Sequence, residues 1–374
     1  MSRKTKAEHH EPLVRIIRRE DSSAARNIWV RLAALLAAFA TGALLIVALG
    51  ENPFAVYAQM LTGALGTKTA LIETVRKTIP LLIVALGIII AFKMKFWNIG
   101  GEGQVCLGAI AASYFALYQY ENIPQPWLFF LMFLAGALAG GLWGAIPAYF
   151  KSRFGTNETL FTLMLNYIAV YIIQFLREGP WMNPANTGFP QIARFDSVAR
   201  LPKVFGVHIG WIVALILVAL VQVYLTKTKH GYEISVVGES MDTAKYAGMN
   251  TKKIVLRSMF FSGALCGIAG MLQVSGADHT LVETVAGGVG FTAITVAWLA
   301  RLNPSMALVV AFLFSILEKG SNSIQTVFNI SNAAAQVLMG IILFFMLGCE
   351  FFLQYRMIWR RKEHHNGCDD GLYH

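Results

Sequence analysis

The stretch Asn98-Ile99-Gly100-Gly101-Glu102-Gly103-Gln104 brings two amides, a carboxylate and closely spaced glycines to the head of an apolar run. Such groups can hydrogen-bond a polar solute or a neighbouring backbone. Glycine lets backbone approach backbone or solute closely, and a carboxylate near hydrocarbon faces protein or a water-filled path. Gly287-Gly288-Val289-Gly290-Phe291 repeats the Gly-Gly-x-Gly spacing, again where an apolar span begins. Glycine interruptions at corresponding places in two halves of a membrane protein point to a transport path between the halves. Tight helix packing is the other reading that the same glycines allow. The polar groups expected beside a path are Asn98, Glu102, Gln104, Asn157, Glu158 and Asn166, although Asn98 and Glu102 can equally cap and pack a helix. Phe291 and Trp298 offer aromatic surfaces for a planar base, or for packing.

Covalent chemistry finds no comparable support. Gly66-Thr67-Lys68-Thr69 lacks the order and spacing of a phosphate-binding P-loop. There is no His-Glu-x-x-His and no serine nucleophile elbow. The pairs His9-His10 and His364-His365 lie in polar tails, without ligand partners at useful spacing. Cys106, Cys266, Cys349 and Cys368 have no metal or redox spacing, and three of them fall in apolar spans as small packing residues. The expectation is a chain that is no enzyme, holds no metal and binds no cofactor of its own.

The elements that must position these groups are membrane helices. The chain has 374 residues, 56% hydrophobic and 14% charged, with mean hydropathy +0.55. A soluble domain carries roughly 25% charged residues. The expected fold is an all-α membrane protein of about ten transmembrane helices. They are placed near 28–50, 78–92, 98–118, 127–150, 157–176, 207–225, 258–275, 285–299, 304–317 and 333–353. The second, eighth and ninth fall short of the roughly 20 residues of a full crossing, as broken or half-length helices do. Gly136, Gly140 and Gly144 put a small-residue packing face on the fourth span.

Charge orients this layout. With the N-terminus in the cytoplasm, 23 of the 31 Lys and Arg fall on the cytoplasmic side and 8 on the outer side, as the positive-inside rule requires. The bias predicts both termini inside and accounts for the net charge of +10 without nucleic acid as a partner. It also puts the two Gly-Gly-x-Gly sites in opposite orientation, as an inverted repeat of spans 2–5 and 7–10 requires. The expected organisation is a basic cytoplasmic segment 1–27, a transmembrane domain 28–353 and a cytoplasmic tail 354–374.

Within the membrane domain, residues 226–257 form a cytoplasmic loop. In it, Gly238 and Glu239 precede a stretch in which Ser240 or Asp242 can cap a helix of about two turns that Gly248 ends. Ala244, Ala247 and Gly248 would give it a small-residue face, with Tyr246 beside them. Such a helix can press into a groove on a soluble partner, or it can be a solvated connection.

Four motifs carry a resemblance to a known family. They are Asn98-Ile99-Gly100-Gly101-Glu102-Gly103-Gln104; Asn157-Glu158 through Met164-Leu165-Asn166-Tyr167; Gly238-Glu239 through Tyr246-Ala247-Gly248-Met249-Asn250; and Gly290-Phe291-Thr292-Ala293-Ile294 through Arg301-Leu302-Asn303-Pro304. As a set they resemble the permease subunits of ATP-binding-cassette importers, in the branch that serves ribose, branched-chain amino acids and nucleosides. Within it the likeness is to the larger of two paired purine-nucleoside (guanosine) uptake permeases. Ala300 departs from the pattern, standing where that family commonly has glycine. The resemblance implies a multi-pass protein of a prokaryotic plasma (inner) membrane. It implies a separate cytoplasmic ATP-binding subunit that carries the ATP, a second homologous permease subunit and an extracytoplasmic solute-binding lipoprotein. Gly238, Glu239, Ala244, Tyr246, Ala247 and Gly248 then belong to a coupling helix that docks on the ATPase.

Two other functions compete. An ion-coupled secondary transporter needs titratable groups in its spans, and here Glu102, Glu158 and Glu318 lie near span ends. A scaffold or channel would need neither the capped loop helix nor the paired glycine sites.

Overall fold

The computed structural model describes residues 14–18, 24–184 and 188–359. Cys368, both histidine pairs and most of the two polar tails lie outside the described residues. Two units are described separately: residues 46–339, and residues 1–45 together with 340–374.

In the described residues the helices are α1 (Ala24–Ala48), α2 (Pro53–Leu65), α3 (Lys68–Lys93), α4 (Gly101–Tyr118), α5 (Gln125–Phe154), α6 (Glu158–Glu178), α7 (Gly210–Lys227), α8 (Lys229–Glu239), α9 (Met241–Tyr246), α10 (Thr251–Gln273), α11 (Val289–Leu299), α12 (Pro304–Phe328) and α13 (Asn332–Gln354). The chain is an all-α membrane protein. Six helices are long and apolar enough to cross a membrane, or up to seven if α1 and α2 are taken as one bent span, with α11 and part of α13 as shorter apolar helices. Every one of the ten expected spans coincides with a helix.

Several ends differ from expectation, for physical reasons. Asn52-Pro53 ends one helix and also starts another: the Asn52 side chain accepts the Phe54 N–H, and Pro53 takes the first turn, where its missing donor costs nothing. The stretch between the first two expected spans is therefore mostly helical. The second span was expected to begin at Thr78 and the ninth to stop at Leu317. The structure pairs Lys77 with Glu318 across α3 and α12, so both helices run through the charges. Pro80 thus sits inside α3 and not at its start.

In the larger unit the core lies around α3 and α10, whose apolar windows are 83% and 72% buried. These two helices are enclosed by protein, unlike α5, α6 and α7 at 28–33%, whose outer faces are left for lipid. The glycine face expected on α5 is a packing face. Gly136 and Gly140 lie against Gly267 of α10, Gly140 also against Gly263, and Gly108 of α4 against Gly267. Three helix backbones thus approach to a distance that no side chain permits.

The smaller unit contains a two-stranded antiparallel sheet that the sequence did not announce. Strand β1 (Val14–Arg18) pairs with β4 (Tyr355–Trp359) in the register Val14↔Trp359 to Arg18↔Tyr355. A second short pair, β2 (Lys203–Val204) and β3 (Val207–His208), belongs to the larger unit.

Candidate functional site

The head of α4 is assembled from both sides of the chain. Lys95 turns the backbone with φ +56 after α3, and Asn98 then enters the interior, fully buried. Its Oδ1 accepts the Gly100 N–H at 3.0 Å, and Asn98 and Gln104 exchange amide hydrogen bonds at 3.2 and 3.3 Å. Asn98 Nδ2 also donates to Ser262 Oγ of α10 at 3.2 Å. Helix α6 holds the same turn from the other side. Thr162 Oγ1 accepts the Ile99 N–H at 3.2 Å, while Asn166 accepts from Gly103 N–H at 2.8 Å and donates to the Ile99 carbonyl at 2.9 Å. A side-chain amide can serve both a donor and an acceptor of one backbone turn.

The first turn of α4 meets the first turn of α11. Gly101 lies within 3.5 Å of the Cα of Gly290 measured from its ideal Cβ position. Glu102 Oε1 accepts the Gly288 N–H at 2.7 Å and Oε2 the Gly290 N–H at 2.8 Å. Gly288 can offer its amide this way because its φ is +83, a backbone that side chains resist. The carboxylate also sits where a helix N-terminus favours negative charge. The two Gly-Gly-x-Gly sites therefore touch each other. Helix α11 has 11 residues, about 16 Å of rise, half of a roughly 30 Å hydrocarbon layer.

Other expected residues lie outside this junction. Asn157 caps α6 by accepting the Thr159 and Leu160 N–H groups, and Glu158 pairs with Lys151 at 2.7 Å. Phe291 is half-exposed. Trp298 stacks on Trp97 with centroids 5.7 Å apart, and Phe92 completes an aromatic cluster. Ala300 is buried in a right-handed helical conformation that alanine adopts freely, so its departure from glycine needs no backbone adjustment.

The loop that delivers Gly288 is held by groups that sequence reading missed. Gln174 of α6 donates to Glu283 at 2.6 Å, and Arg177 pairs with Glu283. Only the mixture of charges at the end of α6 hinted at this clamp. The segment 192–206, between the fifth and sixth expected spans, also docks. Phe195 N–H donates to the His279 carbonyl at 2.8 Å and Leu201 N–H to the Ser275 carbonyl at 3.1 Å, while Ser275 Oγ donates to the Ala199 carbonyl at 2.5 Å. They seize the single π-helical turn Val274–Asp278 that ends α10, whose widened carbonyl spacing leaves acceptors free.

His208 sits under this cap, 3% exposed, its Nδ1 accepting the Gly210 N–H at 3.3 Å. Burial, followed by the Arg76, His279 and Lys203 charges, pushes its pKa down from 6.5 to about 4. The released cap takes up a proton between these values that the folded cap refuses. Stability is therefore complete above pH 6.5 and falls as pH drops toward 4, by at most about 3 kcal/mol. Hydrogen exchange at Leu201 and Phe195, corrected for intrinsic rates, should show protection lost between pH 7 and 5. A His208→Gln variant should flatten that dependence; an unchanged profile would refute it.

On the other face, α8 and α9 occupy the loop read as a docking surface. Ser240 Oγ accepts the Thr243 N–H at 3.2 Å and so caps α9. Gly248 ends it with φ +74. The helix is shorter than expected, and its small-residue face is divided. Ala244 is fully buried against the chain itself, whereas Ala247 and Gly248 are exposed and Tyr246 is 93% exposed. Gly238 is buried against the Lys93 carbonyl, where a side chain would not fit. Lys95 Nζ donates to the Glu239 carbonyl at 3.4 Å, and Arg257 of α10 bonds Glu233 of α8 at 2.8 Å. That hydrogen bond, first among the causes, holds the Glu233 carboxyl below its usual range. Helix α8, which leads into α9, is thereby held to the end of α3 and to α10.

Comparison with known proteins decides the family. Residues 70–347 match the family described as branched-chain amino acid transport system / permease component. The chain belongs to this family. It is 32% identical over 336 residues to the glucose ABC transporter permease protein TsgB13 of Haloferax volcanii, covering 86% of this chain and 88% of that one. It is 31% identical over 311 residues to the nucleoside ABC transporter permease protein NupB of Lactococcus lactis, covering 79% and 84%. Against the guanosine ABC transporter permease protein NupP of Bacillus subtilis the identity is 29% over 335 residues, covering 86% and 93%. No solved structure matches the chain. The matched span of this permease-family chain contains the α4–α11 junction, helices α8 and α9 and both Gly-Gly-x-Gly sites.

Proposed function

We propose that this chain is the membrane-spanning subunit of an ATP-driven importer for a neutral polar solute of the nucleoside or sugar class. The observation that carries the reading is the α4–α11 junction, where loops from opposite halves of the chain meet through Glu102, Gly288 and Gly290. Such junctions of half-length helices lie at the solute paths of transporters. Membership of the permease family and the names of the relatives supply the solute class. Asn98, Gln104, Asn157, Glu158 and Asn166 serve the path indirectly, by fixing the turns around it, while Phe291 keeps a ring face free. The partners are a cytoplasmic ATP-binding subunit, a second permease subunit and an extracytoplasmic solute-binding lipoprotein, in a prokaryotic inner membrane. Both termini are cytoplasmic: the β1–β4 pairing supports a common side for the two ends, because paired ends need an even number of crossings between them, and the Lys/Arg bias favours the cytoplasm as that side.

Coupling runs through the exposed tip Tyr246-Ala247-Gly248. Close docking of a helix tip needs small side chains, and overpacking costs about 1–3 kcal/mol. Ala247→Trp should reduce co-purification of the ATPase roughly tenfold and uptake with it, at unchanged membrane abundance. Normal uptake and docking in that variant would make the loop a mere connector. Reconstituted with its partners, the wild-type chain should take up solute only when ATP is supplied. Uptake without ATP that follows a proton gradient would overturn the importer reading.

A further inference from the structure

A cavity of about 230 Å³ opens beside the first turn of α11, between α3, α12 and the start of α13. Its walls include Gly287 and Thr292, then Glu318, Ser321 and Asn322 of α12, and Gln336 of α13. Such a concentration of uncharged donors and acceptors between membrane helices is costly in lipid and belongs to a path or a ligand site. Ser321 supplies the decisive detail. It is 3% exposed, yet its hydroxyl has no hydrogen-bond partner. Six residues earlier in the same helix, Ser315 satisfies itself on the Ala311 carbonyl at 3.0 Å. A buried, unpaired hydroxyl costs about 1–3 kcal/mol, and a solute hydroxyl can remove that cost.

The charges of the cavity are already matched. Glu318 is paired with Lys77. The amides at the N-terminus of α11, otherwise an anion site, are occupied by the Glu102 carboxylate. Among the described lining residues no cation stands ready for a phosphate, while the Ser321 hydroxyl is unpaired and the Thr292 hydroxyl, which donates to the Gly288 carbonyl at 3.2 Å, can still accept from a polyol. The volume lies just below the roughly 300–1,000 Å³ of common small-molecule pockets, a size for a monosaccharide or the ribose portion of a nucleoside.

We infer that this cavity is a solute station of the permease, which receives a neutral polyhydroxyl group through Thr292, Ser321 and Asn322 and rejects phosphorylated relatives. The inference rests on the importer reading above.

Its test uses the full importer, with a Cys368→Ser background so that the remaining native cysteines, Cys106, Cys266 and Cys349, are buried. Asn322→Cys introduces an exposed thiol at the cavity wall. A small neutral thiol reagent should modify it at least threefold more slowly in saturating glucose or uridine. Protection by glucose alone identifies a sugar station, and protection by uridine alone a nucleoside station. Glucose 6-phosphate and uridine monophosphate should give no protection. Ser321→Ala and Thr292→Val should each reduce the uptake rate roughly threefold to tenfold, the worth of one hydrogen bond, at unchanged abundance and ATPase docking. ATP-driven uptake of glucose or uridine without any protection, and unaltered in both hydroxyl variants, would overturn the station and leave the importer reading standing. Equal protection by the phosphorylated solutes would overturn its selectivity. Failure of the assembled wild-type complex to take up either neutral solute would instead count against the importer reading on which the station rests.

Discussion

Glu102→Ala should abolish most uptake, lowering it by more than tenfold while the protein still reaches the membrane. The carboxylate is the acceptor for two amides of the α11 start, Gly288 and Gly290. Alanine leaves both donors without that acceptor. Gly290 is buried and Gly288 half-buried, so the loss is about 1–3 kcal/mol for the first and less for the second. Because the bonds join α4 to α11, the cost falls on the geometry of the junction. Each 1.4 kcal/mol of misplacement corresponds to about a factor of ten in the population of the competent arrangement.

The isosteric variant sharpens this test. Glu102→Gln keeps one acceptor oxygen but turns an NH2 group toward the other amide donor, so one bond survives and one becomes a donor–donor conflict. Uptake should fall between wild type and Glu102→Ala, and the midpoint of thermal unfolding in detergent should follow the same order. Normal uptake and unchanged melting in Glu102→Ala would mean that the two Gly-Gly-x-Gly loops are independent, and that their contact has no part in transport.

Much of this architecture was legible in the sequence, for identifiable reasons. Hydropathy acts over whole helices, so each of the ten expected stretches coincides with a helix even where its ends differ, although only six or seven of the described helices are long and apolar enough to cross a membrane. The ends failed where a charge was answered by a distant one. Lys77 and Glu318 lie far apart in the chain, and each looked like a span boundary until their pairing made both interior. The glycines were legible as sites because their spacing repeats, but the sequence left open whether they faced solute or helix. The structure divides them: Gly136, Gly140, Gly263 and Gly267 pack backbone on backbone, whereas Gly288 and Gly290 present amides to Glu102. Asn98 and Asn166 were recognisable as costly polar residues, yet their partners, Ser262 and the Ile99 carbonyl, depend on helix packing that no local pattern encodes. The cap over α10 and the Glu283 clamp were illegible for the same reason. Ser321 was silent in sequence, since a serine in an apolar helix ordinarily bonds its own preceding turn.

Gly267→Val should have the largest structural effect of any single substitution considered. Gly267 lies where α10 crosses α5 and α4 at once, and an added Cβ there would collide with the Gly136 carbonyl while standing 3.0 Å from the Cα of Gly140. Both obstacles are backbone, which cannot swing aside as a long side chain can. Gly108 of α4 closes on the Gly267 backbone from its own side, so α10 cannot retreat from α5 without disturbing α4. Overpacking an ordinary core costs about 1–3 kcal/mol; three backbones in mutual contact push the cost beyond that range. Membrane association of small-residue helices depends on this close approach, because lipid offers apolar side chains the same environment as a neighbouring helix does. The expected outcome is a protein that inserts but fails to pack: rapid loss of monodisperse protein in detergent, protease sensitivity, and no uptake. Gly348→Ala is the control, since nothing lies within 4 Å of the added Cβ there and alanine favours the helix by about 0.5–1 kcal/mol. If Gly267→Val stays monodisperse and active like that control, the three-helix crossing is not the clamp that holds α10 in the core. The Asn98–Ser262 hydrogen bond and the α6 amides would then have to keep the α4 turn in place without it.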